Sequence, residues 1–579
     1  MTAKTPHFDA RLKTILDVLQ SGERVCSVTG QPWRLTEEEI ALCRKFNVPP
    51  STIAPDVRLK MMNGFNTGLA VFWKEDAKTG KPVISAIHPD SPIQVVNDTD
   101  WFAEDWSEKG RPIDAQRPFW DQLWDLMRDV PYIASRSTGM QNTVGVGAMN
   151  VIDSYMACGS ADVTRSFYTY AAFQTEDSVD VANSRQVARS YHVAGSANIV
   201  DSQFVFESQS CLSCSFVFDC WNCENCFGAV NKRNKKYLWF NGQLTKEEWE
   251  RRRKDADLSS HAVVERFRAQ FYDLWKREGV WPASFETGNT ESDGERLTGC
   301  VRCTDCYWQL KSVDCRRCRF GFENTDCAYL SGVAWETGSY MSTGCSHSAA
   351  DLFCMNNDSC QNMELSVNCH DSQDCFGCAG LRNKRFHVLN RPYDEQTYWH
   401  LVDEIKCRML DEGTYGNFFP GKFSPSGFQY STGELYIGYS LEDLEQYGAL
   451  SFDPARGQVL APHKGGDVQP LSIVDIPDTI DETDPAVWVG KPIVDPEAGR
   501  NFSVIPVEFE VYRAHRWPFP RAHFVRRLTD LVRHSNGPIK EERVCATCDL
   551  PIVTYRNMRF PERKVLCQAC YLKHLEQYG

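Results

Sequence analysis

Residues 154–226 read SYMACGSADVTRSFYTYAAFQTEDSVDVANSRQVARSYHVAGSANIVDSQFVFESQSCLSCSFVFDCWNCENC. A small residue recurs at every sixth position: Ser154, Ser160, Ser166, Ala172, Ser178, Ser184, Ser190, Ser196, Ser202, Ser208, Cys214, Cys220 and Cys226. Midway between them runs a second file: Ala157, Val163, Thr169, Thr175, Val181, Val187, Val193, Ile199, Val205, Cys211, Val217 and Cys223. Small and β-branched residues held in phase over thirteen positions point to a β-solenoid, whose coils must stack to bury their inner faces. Coil length stays open between twelve and eighteen residues; eighteen would stack Tyr155, Phe173, Tyr191 and Phe227.

A second block follows at 295–392. Its cysteines stand at 300, 303, 306, 315, 318, 327, 345, 354, 360, 369, 375 and 378, all in one three-residue phase. Both blocks end alike: Cys226 with Cys375, Arg233-Asn-Lys with Arg382-Asn-Lys, Asn241 with Asn390, Trp249 with Tyr398, at a constant offset. After the first, Thr245-Lys-Glu-Glu248 is a helix-opening capping box. After the second, Asp394 caps a helix through Tyr398, Leu401, Val402 and Ile405. The unit of ladder, terminating strand and helix is therefore duplicated. A looser duplication links Trp33–Cys43, Pro49-Pro50 and Arg58 with Phe502–Tyr512, Pro518/Pro520 and Arg526.

The expected fold is mainly β and multi-domain, with two tandem β-solenoid blocks, capping helices, flanking α+β modules and a treble-clef-like zinc module. Its segments are 1–136 (α+β), 137–243 (first solenoid), 244–294 (helical connector), 295–392 (second solenoid), 393–430 (connector), 431–538 (mixed) and 539–579 (zinc module). At 579 residues several cores are needed, since one rarely grows past about 250–300 residues. A net charge of −14 argues against general binding to nucleic acid or anionic membrane. No apolar run approaches the ~20 residues of a membrane span. The start, MTAKTPHFDARLKTILDVLQ, reads as an amphipathic helix without a secretory core, which places synthesis in the cytoplasm. In a reducing compartment, twenty-five cysteines call for ligation or burial rather than disulfides.

Cys545-x2-Cys548 and Cys567-x2-Cys570, with eighteen residues between the pairs, match the four-thiolate tetrahedron of structural zinc. Four sulfurs leave no open position, so one structural zinc is expected. Cys300-x2-Cys303-x2-Cys306 resembles part of an iron–sulfur run. The same phase holds Ser, Val and Thr in the first block, however, so its cysteines read as inward ladder residues. A hexapeptide acyltransferase would need a catalytic histidine at a subunit interface. His192 is isolated and reads as a surface residue. Arg513, Arg516, Arg521, Arg526 and Arg527 lie among aromatic residues beside the zinc pairs, a combination that can hold nucleic-acid phosphates. The competing reading pairs them with neighbouring acids, Glu508, Glu510 and Asp530. No catalytic residue set emerges.

The terminators Cys-Phe-Gly-x4-Arg-Asn-Lys-(Lys/Arg)-(Tyr/Phe)-x3-Asn, with Trp101/Trp106, Arg117-Pro-Phe and Val130-Pro, resemble a family of Cys-rich repeat proteins. Its members are encoded by tailed bacteriophages and candidate-phylum bacteria, and some carry a CaiB/BaiF (CoA-transferase) label. The family is richer in CxxC near the N-terminus; here Cys26 is followed by Thr29. The resemblance implies a phage or small-genome setting. Together these readings predict a non-enzymatic scaffold that binds a protein assembly such as a virion, with homo-oligomers as a further expectation. A zinc-dependent nucleic-acid factor and an Fe–S or redox protein are the alternatives.

Overall fold

The computed structural model describes residues 4–453, 456 and 469–579. The part of the expected 431–538 module at 454–455 and 457–468 lies outside the described residues, as do residues 1–3 of the expected N-terminal helix.

Residues 138–243 form a 15-stranded, almost wholly parallel sheet. From Met149 to Phe227 each strand pairs with residues twelve positions later. Tyr155 faces Phe167, which faces Val179, then Tyr191, Gln203, Ser215 and Phe227. The step of twelve replaces the eighteen-residue stack: Tyr155 reaches Tyr191 through Phe167 and Val179, and Phe173 belongs to a different column, facing Arg185. The second block keeps the same step through isolated bridges, Val301 to Val313, Thr325, Thr337, Ala349 and Gln361.

The backbone explains the period. Every third residue from Asn150 to Phe240, and again from Arg296 to Leu389, has φ near +50 to +70°. That left-handed conformation bends the chain, and only Gly, Asn and Asp adopt it cheaply. Asn150, Asp153, Asp162, Asp177, Asp180, Asn183, Asn198 and Asp201 supply it in the first block. Outside the terminators, the residue after a bend points inward. The true repeat is therefore three residues, and the six-residue pattern arises because Ser alternates with a β-branched residue in a single inward phase.

Inward serines tie rung to rung. The Ser190 hydroxyl donates to the Ala188 carbonyl at 2.8 Å and accepts the Ser202 N–H at 3.1 Å. Inward cysteines bond differently: the Cys303 thiol meets the Val301 and Ser312 carbonyls at 3.6 and 3.2 Å. All twenty-five cysteines are free thiols. The ladder cysteines thus occupy serine's place, as the shared phase predicts.

The chain divides into two compact units that cut across its linear segments. One contains residues 1–67, 74–134 and 285–452, so the N-terminal module packs with the second ladder. There the helices Phe119–Asp129 and Glu395–Asp411 share a core with ladder residues, Phe119 meeting Phe376 at 5.3 Å. Phe119, Leu123, Leu126 and Met127 are buried along one face, as their spacing predicts. The N-terminal helix runs Pro6–Val18, and Asp394 caps its helix through the Thr397 N–H at 2.9 Å.

The other unit contains residues 68–73, 135–284 and 453–579, joining the first ladder to the C-terminal module. Helix His261–Glu278 lays Phe267, Phe271 and Trp275 over the ladder, with Trp275 stacked on Phe218 at 4.2 Å. Helices Pro506–His515 and Phe524–Arg533 cover another stretch, with Phe524 stacked on Tyr168 and Trp517 on Tyr191. His192 is buried there between Tyr191, Phe204 and Phe206, contrary to its expected surface position. Burial in this aromatic nest pushes its pKa well down, so it stays neutral.

The looser duplication becomes specific at this level. Glu39 and Glu508 each stand third in a helix, 469 residues apart, and Arg58 and Arg527 follow at the same offset. Each glutamate accepts a ladder tyrosine hydroxyl, Tyr329 at 2.6 Å and Tyr168 at 3.0 Å. Each arginine lies over that same ring, at 3.8 and 4.5 Å. The counterpart of Arg58 is thus Arg527 and not Arg526. Both helices also end in a left-handed residue, Asn47 and Arg516. Among the described residues no helix is long and apolar enough to cross a membrane.

Candidate metal centre

The strands Asn536–Val544 and Pro551–Asn557 form a hairpin whose turn carries Cys545 and Cys548. The Cys545 N–H donates to the Leu550 carbonyl, and the Asp549 N–H returns to the Cys545 carbonyl with Asp549 left-handed. This tight turn aims both sulfurs to one side. Cys567 caps the helix Gln568–Tyr578 and Cys570 stands in its first turn, facing the same point. Val280, Leu566 and Tyr571 wall the site, and Trp281-Pro282 adds a parallel pairing to Val565-Leu566.

The four sulfurs lie within 4.8 Å of one another, and Cys548 and Cys567 are 3.8 Å apart. A tetrahedral ion with ~2.3 Å bonds to sulfur needs edges of about 3.8 Å. The electrostatics also fit a cation. Burial alone would push the Cys545 thiol up, but the backbone N–H groups of Cys567, Thr547 and Cys548 hold it down to about 6. Cys570, beside Cys548 and Cys567, is pushed up to about 12. Four thiols this close resist joint ionisation unless a positive charge sits among them. The group can therefore hold a metal ion, and all four positions are those the paired spacing predicts.

The other sequence candidates fare differently. Among the described residues this is the only group of three or more ligating side chains close enough to share an ion. Cys300, Cys303 and Cys306 bond instead to ladder carbonyls. The five arginines are each engaged within their own unit. Arg513 pairs with Glu510, and Arg516 reaches Asp481 at 2.9 Å and Asp257 at 3.4 Å. Arg521 donates to the Ile476 and Pro477 carbonyls. Arg526 binds Asp495 at 3.0 Å and Glu497, and Arg527 is buried beside Asp180 at 3.4 Å. Of the three acids named for the competing reading, Glu510 is the ion-pair partner found; the others come from elsewhere in the fold.

One polar cluster escaped the sequence. The Tyr571 hydroxyl donates to buried Asp219 at 2.5 Å, and Arg233 of the terminator bonds both, at 2.8 and 2.9 Å. The helix that carries Cys570 is thereby fastened to the end of the first ladder. Its only sequence signal is the repeated Arg-Asn-Lys, which does not say what the arginine meets. The chain matches no protein-family model and none of the curated proteins compared with it.

Proposed function

We propose that this chain is a non-enzymatic scaffold: two twelve-residue-coil β-solenoids that offer stiff outer faces to a protein assembly, with one structural zinc ion in the Cys545/Cys548/Cys567/Cys570 site. The observation that carries this reading is the regularity of the ladders. Inward serines and cysteines bond to backbone from rung to rung, and outward charges pair across the same step, Arg189 with Asp201 at 2.7 Å and Arg302 with Asp314 at 2.6 Å. Chemistry needs polar groups that converge on a reacting atom; a regular, cross-bonded ladder supports shape and rigidity. Four sulfurs around one point favour zinc over harder cations and leave no position for substrate. The resemblance of the terminators suggests a virion as the assembly.

Mass spectrometry of purified virions or of particle fractions from the producing cells tests the partner. Enrichment with a particle supports the scaffold, and absence from every particle preparation removes the virion version. Metal analysis of the full chain should return one zinc per chain. Iron with visible colour would instead support the redox alternative, and salt-sensitive DNA binding the nucleic-acid one.

A further inference from the structure

Among the described residues, the geometry of the metal site recurs at three other places. In each, a hairpin turn presents one acceptor side chain, the fourth residue after it is left-handed, and the N–H of a helix-capping residue closes onto that acceptor. At the metal site the Cys567 N–H meets Cys545 Sγ at 3.3 Å, with Asp549 left-handed. At Asp76 the turn is drawn by the same two backbone bonds, to Lys81 and from Gly80, with Gly80 left-handed. Asp76 Oδ2 accepts the N–H of Asn97, which caps Asp98–Ala103, at 2.8 Å. At Cys26 the bonds run to Gln31 and from Gly30, and Sγ accepts the N–H of Ala54, the cap of Pro55–Asn63, at 3.4 Å. At Asp495, with Gly499 left-handed, Oδ2 accepts the N–H of His523, the cap of Phe524–Arg533, at 2.7 Å.

These positions follow the duplication. Cys26 and Ala54 stand 469 residues before Asp495 and His523; Asp76 and Asn97 stand 469 and 470 before Cys545 and Cys567. The four metal ligands at 545, 548, 567 and 570 correspond to Asp76, Thr79, Asn97 and Asp100. We infer that the four-cysteine centre is one of four copies of a single clasp fastening a hairpin turn to a helix N-terminus. All four copies share the bond from the helix-cap N–H to the first side chain, and the copy at 545 adds a group of four sulfurs that can hold an ion.

The chemistry makes the exchange reasonable. Such a turn converges its N–H groups on one point, and the helix end adds positive potential, so an anion satisfies both. A carboxylate has two oxygens and can span them. Asp76 Oδ1 takes the Lys78 and Thr79 N–H groups at 2.9 and 2.8 Å while Oδ2 takes the helix cap. Asp495 does the same, with Glu497 and Ala498 on Oδ1, and Arg526 joins His523 on Oδ2. A single sulfur offers one atom: Cys26 takes the N–H of its helix cap alone, whereas the four cysteines of the 545 copy can also join turn and helix through an ion. Although burial opposes it, the N–H donors from Asn97, Thr79 and Lys78 hold the Asp76 carboxyl down to about 2, so it stays charged.

The inference rests on the four-thiolate reading of the metal centre, and the experiment separates the two. In the full-length chain, Asp76→Ala should raise amide exchange across 95–103 at least tenfold while leaving metal content at one ion per chain. Chelating the unaltered protein should do the reverse, loosening 565–572 and sparing 95–103. The variant Asp76→Cys/Thr79→Cys/Asn97→Cys/Asp100→Cys, titrated with Co(II), should take up twice the metal and double the thiolate charge-transfer absorption. Unchanged protection of 95–103 in Asp76→Ala overturns the inference. So does a folded quadruple variant that still binds one ion. Failure of the unaltered chain to bind any metal defeats the four-thiolate reading alone and leaves the Asp76 result to stand or fall separately.

Discussion

Replacing Glu39 by Leu should loosen the N-terminal helices from the second ladder by about 3–5 kcal/mol, the cost of leaving a buried charge without its partner. The structure sets up this loss. Arg58 is 1% exposed, its Nη2 lies 2.8 Å from Glu39 Oε2, and its guanidinium stacks 3.8 Å above Tyr329. Burial alone would lower the Arg58 pKa, yet Tyr329, Tyr340 and Glu39 together raise it, so it cannot escape the penalty by losing its proton. The reverse change, Arg58→Met, should cost less, because Arg317 Nε remains 3.4 Å from Glu39. The double variant Glu39→Leu/Arg58→Met removes both charges, leaves Arg317 with Asp305 at 3.7 Å and leaves the Tyr329 hydroxyl unpaired, about 1–3 kcal/mol. Its cost should therefore fall well below the sum of the singles. Two units make a single global unfolding energy ill-defined, so the assay is amide exchange read on peptides 37–63 and 325–341. At about 1.4 kcal/mol per decade, Glu39→Leu should speed exchange there by about two to three and a half orders of magnitude. A change of less than fivefold, or a double variant equal to the sum of the singles, would refute the reasoning.

Ser190→Ala should cost about 1–3 kcal/mol, because the Ser202 N–H loses a buried acceptor; Ser190→Cys should cost less, and exchange of 200–204 orders the two. At Asn198, which is exposed with φ 56°, a change to Gly should be near neutral, whereas Val should cost about 1–2 kcal/mol; equal melting temperatures for the two would contradict the bend. Glu508 is buried and pushed up to about 8, burial outweighing Arg527, the Ile505 N–H and the Tyr168 hydroxyl. Since the folded form holds this proton more tightly than the unfolded chain, its contribution is full below about 4.5 and fades as pH rises through about 8. Glu508→Gln should flatten that decline in the exchange of 506–533; an unchanged slope would remove Glu508 as its source.

The ladders were legible because their information is local and periodic. An inward side chain follows the bends of the ladder, and the bends, one every third residue, are enriched in Gly, Asn and Asp without requiring them, so Ser154–Cys226 carried the inward phase more plainly than the bend itself. What misled was the six-residue appearance, since the alternation of Ser with Val is a choice of core filler rather than a step of the backbone. Asn150, Asp162, Asn183 and Asn198 held the truer signal. The metal site was legible for a similar reason, since each CxxC pair sits within one turn or one helix cap and its geometry is nearly complete in four residues.

The remainder depended on contacts between distant stretches. That residues 1–67 and 74–134 pack with the second ladder, and 453–579 with the first, leaves no periodic mark, because such packing is decided by surface fit across hundreds of residues. Arg526 and Arg527 are adjacent in sequence, yet one pairs at the edge of a turn and the other is buried under Tyr168. Helix rotation alone separates them. The sequence by itself therefore determined the ladder, its cysteine phase and the four-sulfur site, each written in short-range spacing. Only the tertiary structure decided which arginines are buried, which helix cap each turn side chain meets and which module each ladder holds, because a side chain's partner is set by the space the rest of the fold leaves around it.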